Sequence, residues 1–161
     1  MTKAGIMNLL AVKRAELEDA WKPIPPERLT LPGAAGLWSV KDIMAHIAYH
    51  ERWMTDRLDE VRRGVVYTLT EVDIMYPNMR NFIEYQEFRD KPLEQVQAES
   101  HSAYQDLLAA LRLYKDDEAL FARRWFRGAH EPVTLHDLLR SKVIDHYGEH
   151  IPSLRRMVVR R

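Results

Sequence analysis

The sequence contains no cysteine, which excludes disulfide bonds, thiolate nucleophiles and metal sites built on sulfur. Any metal site must therefore be built from histidine, aspartate or glutamate. Long apolar runs are also missing, since stretches such as Leu9-Leu10-Ala11-Val12 are far shorter than the roughly 18 residues of a membrane span. The N-terminus lacks the apolar region of a signal peptide. These absences predict a cytoplasmic protein with no membrane partner.

Charge of one sign does not dominate the chain. It carries 24 basic and 24 acidic residues, divided as 11 of each over residues 1–80 and 13 of each over residues 81–161. A nucleic-acid-binding domain usually shows a clustered basic excess. The C-terminus alone is locally basic, and cations there complement the negative end of a helix. We therefore expect no nucleic-acid partner.

The length is typical of one domain. A chain of 161 residues buries roughly 70% of its unfolded surface when it folds around a single core. Neither an internal repeat nor a low-complexity linker divides the sequence. We expect residues 1–161 to form a single domain.

Helical periodicity predicts four long helices. In each of them, apolar side chains recur every three or four residues and so share one face. Helices of about 20 residues are each about 30 Å long, the dimensions of an up-down bundle. The predicted fold is an all-α, up-down four-helix bundle with long connections, its helices covering residues 2–21, 40–64, 91–113 and 134–158.

Two capping boxes mark the starts of the second and fourth helices. Ser39 precedes Asp42 by three residues, and Thr134 precedes Asp137 by three. In this motif the hydroxyl and the carboxylate each accept a hydrogen bond from the other residue's backbone N–H. The last helix is expected to bend at Pro152, which has no N–H to donate.

The connections are less regular. Val65 to Thr70 is rich in β-branched residues and is predicted to be a short extended piece. Asp73 to Arg89 is predicted to be an irregular or short helical connection, and Asp116 to Arg123 one further short helix. The stretch from Trp125 to Val133 is rich in turn residues.

The histidines form two pairs at helical spacing. His146 and His150 lie one turn apart on the core-facing side of the last helix, and His46 and His50 lie one turn apart on the second. Imidazoles at i and i+4 can bind one divalent ion, or they can be hydrogen-bonded core histidines. Helical angle slightly favours His50 over His46 as the inward member, because it lies nearer the apolar stripe centred on Ile47.

Other reactive motifs do not fit. Ferritin-like di-iron sites need Glu-x-x-His, which is absent, and no Gly-x-Ser-x-Gly elbow presents a nucleophilic serine. His146 to His150 matches a His-x-x-Glu-His protease pattern, but no downstream carboxylate remains to complete that site. The remaining histidines, His101, His130 and His136, have no partner at ligand spacing.

Some polar and aromatic residues fall among the apolar positions. Glu51 lies on the apolar stripe of the second helix, where it either orients an imidazole or pairs with a buried arginine. Tyr49, Trp53 and Tyr147 are expected to pack in the bundle rather than to line a pocket. Trp38 is expected to close one end of the bundle.

Three stretches resemble one protein family. Trp38-Ser39-Val40-Lys41-Asp42-Ile43-Met44-Ala45-His46-Ile47 resembles the start of the second helix in the DinB-like four-helix bundles. Asp145-His146-Tyr147-Gly148-Glu149-His150-Ile151-Pro152 resembles the matching segment of the fourth. The middle, Asn81 to Leu111, is most similar to the DfsB/ClbS-type branch, and the likeness covers about residues 4 to 158.

The resemblance implies a metal site. In DinB-like proteins a divalent ion, often nickel or zinc, is held by one histidine of the second helix and the HxxxH pair of the fourth. Carried over to this sequence, the implied ligands are His46, His146 and His150. His50 then becomes a neighbouring group or an alternate ligand, against the angular preference.

Two functions follow from the resemblance. The first is a divalent-metal-dependent enzyme, a thiol S-transferase or hydrolase, that acts on a small molecule and uses a low-molecular-weight thiol. The alternative is a non-catalytic small-molecule-binding or self-protection protein of the DfsB/ClbS type. A homodimer is also implied.

Overall fold

The computed structural model describes residues 2–65, 76–115, 118–125 and 131–159. Over these residues the chain is mainly helical and forms no β-strand; the two isolated bridges join Ala35 to Trp38 and Arg124 to Val133. In chain order the elements are α1 (Lys3–Trp21), a 3-10 turn (Pro26–Arg28), α2 (Val40–Arg62), α3 (Pro77–Phe88), α4 (Leu93–Arg112), α5 (Glu118–Phe121), α6 (Leu135–Leu139), a π-helical turn (Arg140–Ile144) and α7 (Asp145–Val159).

The four long helices confirm the all-α bundle prediction. Their ends lie within two residues of the predicted ends, with α6, the π turn and α7 forming one continuous helical path. The segment predicted to be irregular or helical contains α3, which has Pro77 in its first turn, where a missing N–H costs nothing. The predicted extended piece lies, apart from Val65, outside the described residues.

Both predicted capping boxes are present. Ser39 Oγ accepts from the Asp42 backbone N–H at 3.2 Å, and Asp42 Oδ2 accepts from the Ser39 N–H at 2.8 Å. Thr134 Oγ1 and Asp137 Oδ2 make the same exchange at 2.9 and 3.3 Å. After α2, Gly64 has a φ of +74°, the left-handed conformation that commonly ends a helix.

The π turn keeps one side of the last helical path buried. Four-residue steps drift by about 40° each in an α-helix, so a run of such steps would leave the core. An i→i+5 turn contains more residues per turn and offsets this drift. The buried side chains at four-residue steps are Leu135, Leu139, Val143, Tyr147 and Ile151. The sequence predicts a bend of this helix at Pro152, and that bend stays a prediction.

The helices pack in two main pairs, α2 against α4 and α1 against α7, and α3 packs on α2. Of the two adjacent cations in α1, Arg14 points inward and Lys13 does not. Lys13 is 37% exposed and pairs with Glu16, because a charged stem at a boundary position can reach water. Arg14 is buried beside Leu10 and Leu17.

None of the helices in these described ranges combines the length and the apolar character that crossing a membrane requires.

Candidate metal centre

The two histidine pairs meet inside the bundle. His46 and His50 lie on α2, two and three turns after its capped start, and His146 and His150 lie on α7, directly after the π turn. All the ring-to-ring distances recorded among the four imidazoles fall between 4.4 and 5.3 Å. Side chains separated by 100 residues of sequence therefore form one cluster, which we call the histidine cluster.

His146 occupies the centre of the histidine cluster. Its Nε2 lies 3.1 Å from the Nε2 of His46 and 3.0 Å from the Nε2 of His150. Ring nitrogens of His46, His50 and His146 also all lie within 4.8 Å of one another. The structure thus brings together the three histidines that the family resemblance implies, and it adds His50, which helical angle had favoured.

Glu84 of α3 is the hydrogen-bond partner of His46 Nδ1. Its Oε2 lies 2.8 Å from His46 Nδ1, and both side chains are only 1% exposed. In metal-binding histidines such a carboxylate partner receives a proton from Nδ1, and Nε2 then offers its lone pair to the metal. Glu84 Oε1 lies 3.4 Å from Arg80 Nε, and Glu84 Oε2 lies 3.8 Å from His50 Nε2.

The environment keeps the other imidazoles neutral. Burial, together with His46 and His150, lowers the pKa of His146 to about 2. Burial and His46 lower the pKa of His150 to about 4, and burial lowers the pKa of His50 still further. A neutral imidazole has a lone pair to offer, which is the form that ligates a metal.

The geometry of the histidine cluster fits a divalent ion better than a network of hydrogen bonds. An imidazole nitrogen has either one proton to donate or one lone pair with which to accept. His146 Nε2 can therefore satisfy only one of its two close Nε2 neighbours by a linear hydrogen bond. Two nitrogens bound to one ion at about 2.0–2.1 Å are about 2.8–3.4 Å apart at angles of about 90–109°, so one cation would suit both contacts. The Nε2 of His50, which is buried, has no hydrogen-bond partner.

The remaining histidines lie elsewhere. His101 is exposed on α4, and the ring of His136 packs 4.9 Å from the ring of Phe121. His130 lies outside the described residues.

Glu51 is the partner of a buried arginine, one of the two roles that its position had suggested. Arg14 Nη1 donates to Glu51 Oε1 at 2.5 Å, and the Tyr147 hydroxyl donates to the same oxygen. Arg14 Nη2 also donates to Ser100 Oγ at 2.8 Å, which ties α1, α2, α4 and α7 together. Burial alone would lower the pKa of Arg14, but the nearby Glu51 carboxylate raises it, so the guanidinium stays charged.

A cavity of about 240 Å³ adjoins the histidine cluster. His50 and Glu84 belong to both the cavity wall and the surroundings of the cluster. Tyr49 and Trp53 line this space, although the sequence favoured packing positions for them. Trp53 both lines the cavity and packs against the core. Among the described residues, the lining consists of Tyr49, His50, Trp53, Arg80, Glu84, Leu138 and Lys142.

Glu84 is the site residue that sequence reasoning missed. It lies on α3, a segment without a clear periodicity, and its neighbours Phe82 and Ile83 are exposed while Glu84 is buried. A signal was available in Arg80 and Glu84, which stand at i and i+4 and form an ion pair across one turn of the helix. That spacing by itself suits an exposed surface pair equally well.

Trp38 packs against the histidine cluster from the loop before α2. Its ring lies 5.1 Å from the ring of His46 and stacks on Tyr85 of α3 at 5.7 Å. Phe88 adds an edge contact at 5.8 Å. Trp38 therefore packs between His46 and the aromatic rings of α3.

Comparison with known proteins identifies related sequences and folds. The sequence profile of the DinB superfamily matches residues 9–151. No curated protein sequence matches the chain.

Three crystal structures share the fold. An uncharacterised protein from Escherichia coli UTI89 aligns with a TM-score of 0.78 at 16% identity, over 97% of this chain and 92% of that one. The colibactin self-resistance protein ClbS, in complex with a dsDNA, aligns at 0.79 and 14% identity over 97% and 94%. A Streptococcus pneumoniae protein aligns at 0.78 and 11% identity over 97% and 90%. At these identities the likeness shows the fold alone.

Proposed function

Because the chain belongs to the DinB superfamily, we propose that it is a divalent-metal-dependent enzyme acting on a small molecule. The proposed ligands are His46, His146 and His150, and nickel or zinc is the proposed ion. Within this class we propose thiol S-transfer or hydrolysis as the reaction, with a low-molecular-weight thiol as the co-substrate in the first case.

One observation carries this proposal. His146 Nε2 lies within 3.1 Å of two further imidazole nitrogens, one of them on a helix about 100 residues away in sequence. Neutral imidazoles do not gain by meeting in this way unless something shares their lone pairs. A divalent ion is the common partner of such a set in proteins.

The chain's own residues would prepare the site for that chemistry. A divalent ion bound to the imidazoles would act as a Lewis acid and lower the pKa of a coordinated water or thiol. Glu84 would receive the Nδ1 proton of His46, so the ligand nitrogen would be Nε2, which is the one turned toward His146. Trp38 covers His46 on one side, and the adjoining cavity leaves room for a small substrate on another.

Metal analysis of the purified protein tests the proposal. Protein purified without a nickel column, then incubated with zinc or nickel and desalted, should contain about one ion per chain. The His146→Ala variant should lose it, because His146 is central to the cluster, whereas His101→Ala, an exposed histidine on α4, should keep it. Wild-type protein that neither carries nor takes up an ion would contradict the proposal.

A second candidate function is favoured by the cavity. The chain would then be a non-catalytic small-molecule-binding or self-protection protein. The cavity of about 240 Å³ can hold a small ligand without any reaction, and ClbS, which has the same fold, is described as a self-resistance protein. Stoichiometric ligand binding that persists in metal-free wild type and in His146→Ala, with no turnover of the ligand in the loaded protein, would favour this candidate.

Two predictions about partners can be checked on the same preparation. ClbS was crystallised with dsDNA, but we keep the prediction of no nucleic-acid partner for this chain because its charge is balanced. A gel-shift assay at low salt measures whether the chain binds nucleic acid. The homodimer stays a prediction that light scattering checks.

A further inference from the structure

We propose that the cavity beside the histidine cluster binds a small organic carboxylate, held by Arg80 and Lys142 with its apolar part against Tyr49, Trp53 and Leu138. This inference rests on the proposed function, since it names the substrate class of the same site. Four observations support it.

Charge is the first. Within the part of the chain that the structure describes, the charged side chains that line the cavity are Arg80, Lys142 and Glu84. Glu84 is already engaged by His46 Nδ1 and by Arg80 Nε, and a guanidinium has further N–H donors beyond Nε. An anionic group in the cavity would meet those guanidinium donors and the Lys142 side chain, whereas a neutral amide would gain no charge-assisted hydrogen bond from the carboxylate oxygen that it lacks.

Shape is the second. Tyr49, Trp53 and Leu138 give the cavity an apolar side, which suits a flat or hydrocarbon group. A volume of about 240 Å³ corresponds to about eight water molecules at about 30 Å³ each. The buried part of the ligand is therefore limited to about ten non-hydrogen atoms.

His50 supplies the third observation. Its side chain is only 8% exposed and lines the cavity, yet its Nε2 has no hydrogen-bond partner. A buried polar nitrogen without a partner costs free energy, so His50 Nε2 gains a partner either from the proposed ion or from a molecule in the cavity. The His50 ring also lies 4.4 Å from the His146 ring, which puts a molecule in the cavity next to the proposed metal ligands.

The fourth observation is the backbone of the cavity wall. Lys142 belongs to the π turn, one helical turn after Leu138 and one before His146. Single π turns inside α-helices occur frequently at functional sites. Here the π turn lies where one helix must contribute both to the cavity and to the histidine cluster.

Matched pairs of small acids and their amides test this inference. The probes are benzoate, phenylacetate and cyclohexanecarboxylate, each compared with its neutral amide by calorimetry or ligand-observed NMR. They are applied to zinc-incubated wild type and to His146→Ala. We expect at least one acid to bind ten times more tightly than its amide, and to keep at least a fivefold preference in His146→Ala, because Arg80 and Lys142 remain there.

Two variants then assign that preference to the cavity. Lys142→Gln should reduce the acid-to-amide preference at least fivefold, whereas Arg112→Gln, which removes an exposed cation of α4 outside the cavity, should leave it unchanged. Circular dichroism establishes that both variants fold. The inference is overturned if no acid binds more tightly than its amide, or if Lys142→Gln leaves the preference unchanged.

The outcomes also separate this inference from the proposed function. Metal uptake without any acid preference would remove the carboxylate site and leave the metal proposal standing. An acid preference in a wild-type protein that takes up no ion would support the carboxylate site and contradict the metal proposal.

Discussion

Glu84 is a positioning residue for His46, since it acts on the imidazole rather than on a substrate. Its carboxylate lies 2.8 Å from His46 Nδ1 in a site where both side chains are almost fully buried. Partners of this kind orient a metal-binding imidazole, and their loss typically costs 10–100-fold in metal affinity.

We therefore expect Glu84→Ala to weaken zinc affinity by about 10–100-fold, measured by competition with a chromophoric chelator. Glu84→Gln should recover part of that loss, because an amide oxygen can still accept from Nδ1–H. Glu87→Gln, an exposed position one turn further along α3, serves as the control. Equal zinc affinity in Glu84→Ala and wild type would contradict the positioning role.

Arg14 and Glu51 form a buried ion pair that links α1 to α2. Arg14 is 4% exposed and Glu51 is fully buried. Burial raises the pKa of Glu51 while Arg14 opposes that rise, so the carboxylate depends on the guanidinium for its charge. Breaking such a pair from one side leaves an uncompensated buried group.

Arg14→Met should lower the free energy of unfolding by about 3–5 kcal/mol, measured by urea denaturation. The double variant Arg14→Met/Glu51→Leu should be more stable than Arg14→Met, because it removes the carboxylate that the single variant leaves buried without its cation. A double variant no more stable than Arg14→Met would show that the pair is not the source of the loss.

Helix ends were predictable because the residues that set them act locally. Ser39 and Asp42 are three residues apart and need no tertiary contact to exchange hydrogen bonds, so the start of α2 could be read from the sequence. The π turn and the choice between Lys13 and Arg14 could not be read, because both depend on how neighbouring helices pack.

In the candidate site too, local features could be predicted from the sequence and contacts between distant segments could not. His146 and His150 could be placed on one face from their spacing, but the meeting of His46 with His146 across 100 residues was implied only by family resemblance. Glu84 could not be assigned to the site, since its spacing from Arg80 also suits a surface pair and its contact with His46 spans 38 residues.

The two capping boxes allow a matched comparison of helix starts. Ser39 is buried and its hydroxyl also donates to Asp42 Oδ2 at 2.7 Å, whereas the exchange between Thr134 and Asp137 is exposed to solvent. Ser39→Ala should therefore cost about 1–2 kcal/mol and Thr134→Ala about 0.5–1 kcal/mol, as measured by thermal or urea unfolding. If Thr134→Ala cost more stability than Ser39→Ala, burial would not strengthen the Ser39 cap.

The placement of the proposed ligands couples metal binding to the whole bundle. His46 belongs to α2 and His146 to α7, and these helices belong to different packed pairs, α2 with α4 and α1 with α7. An ion held by both would cross-link the two pairs. An unfolded chain does not hold these groups together, so binding favours the folded state.

Zinc at 100 times its dissociation constant should stabilise the protein by about 2.7 kcal/mol, which corresponds to a rise in melting temperature of about 5–10 °C for a chain of this size. Excess EDTA should reverse the rise. In His46→Ala the pair on α7 can still bind an ion, but two histidines one turn apart also bind in a partly helical unfolded chain, so the rise at equal saturation should be much smaller. A full rise in His46→Ala would mean that the ion is held by α7 alone and does not join the two helices.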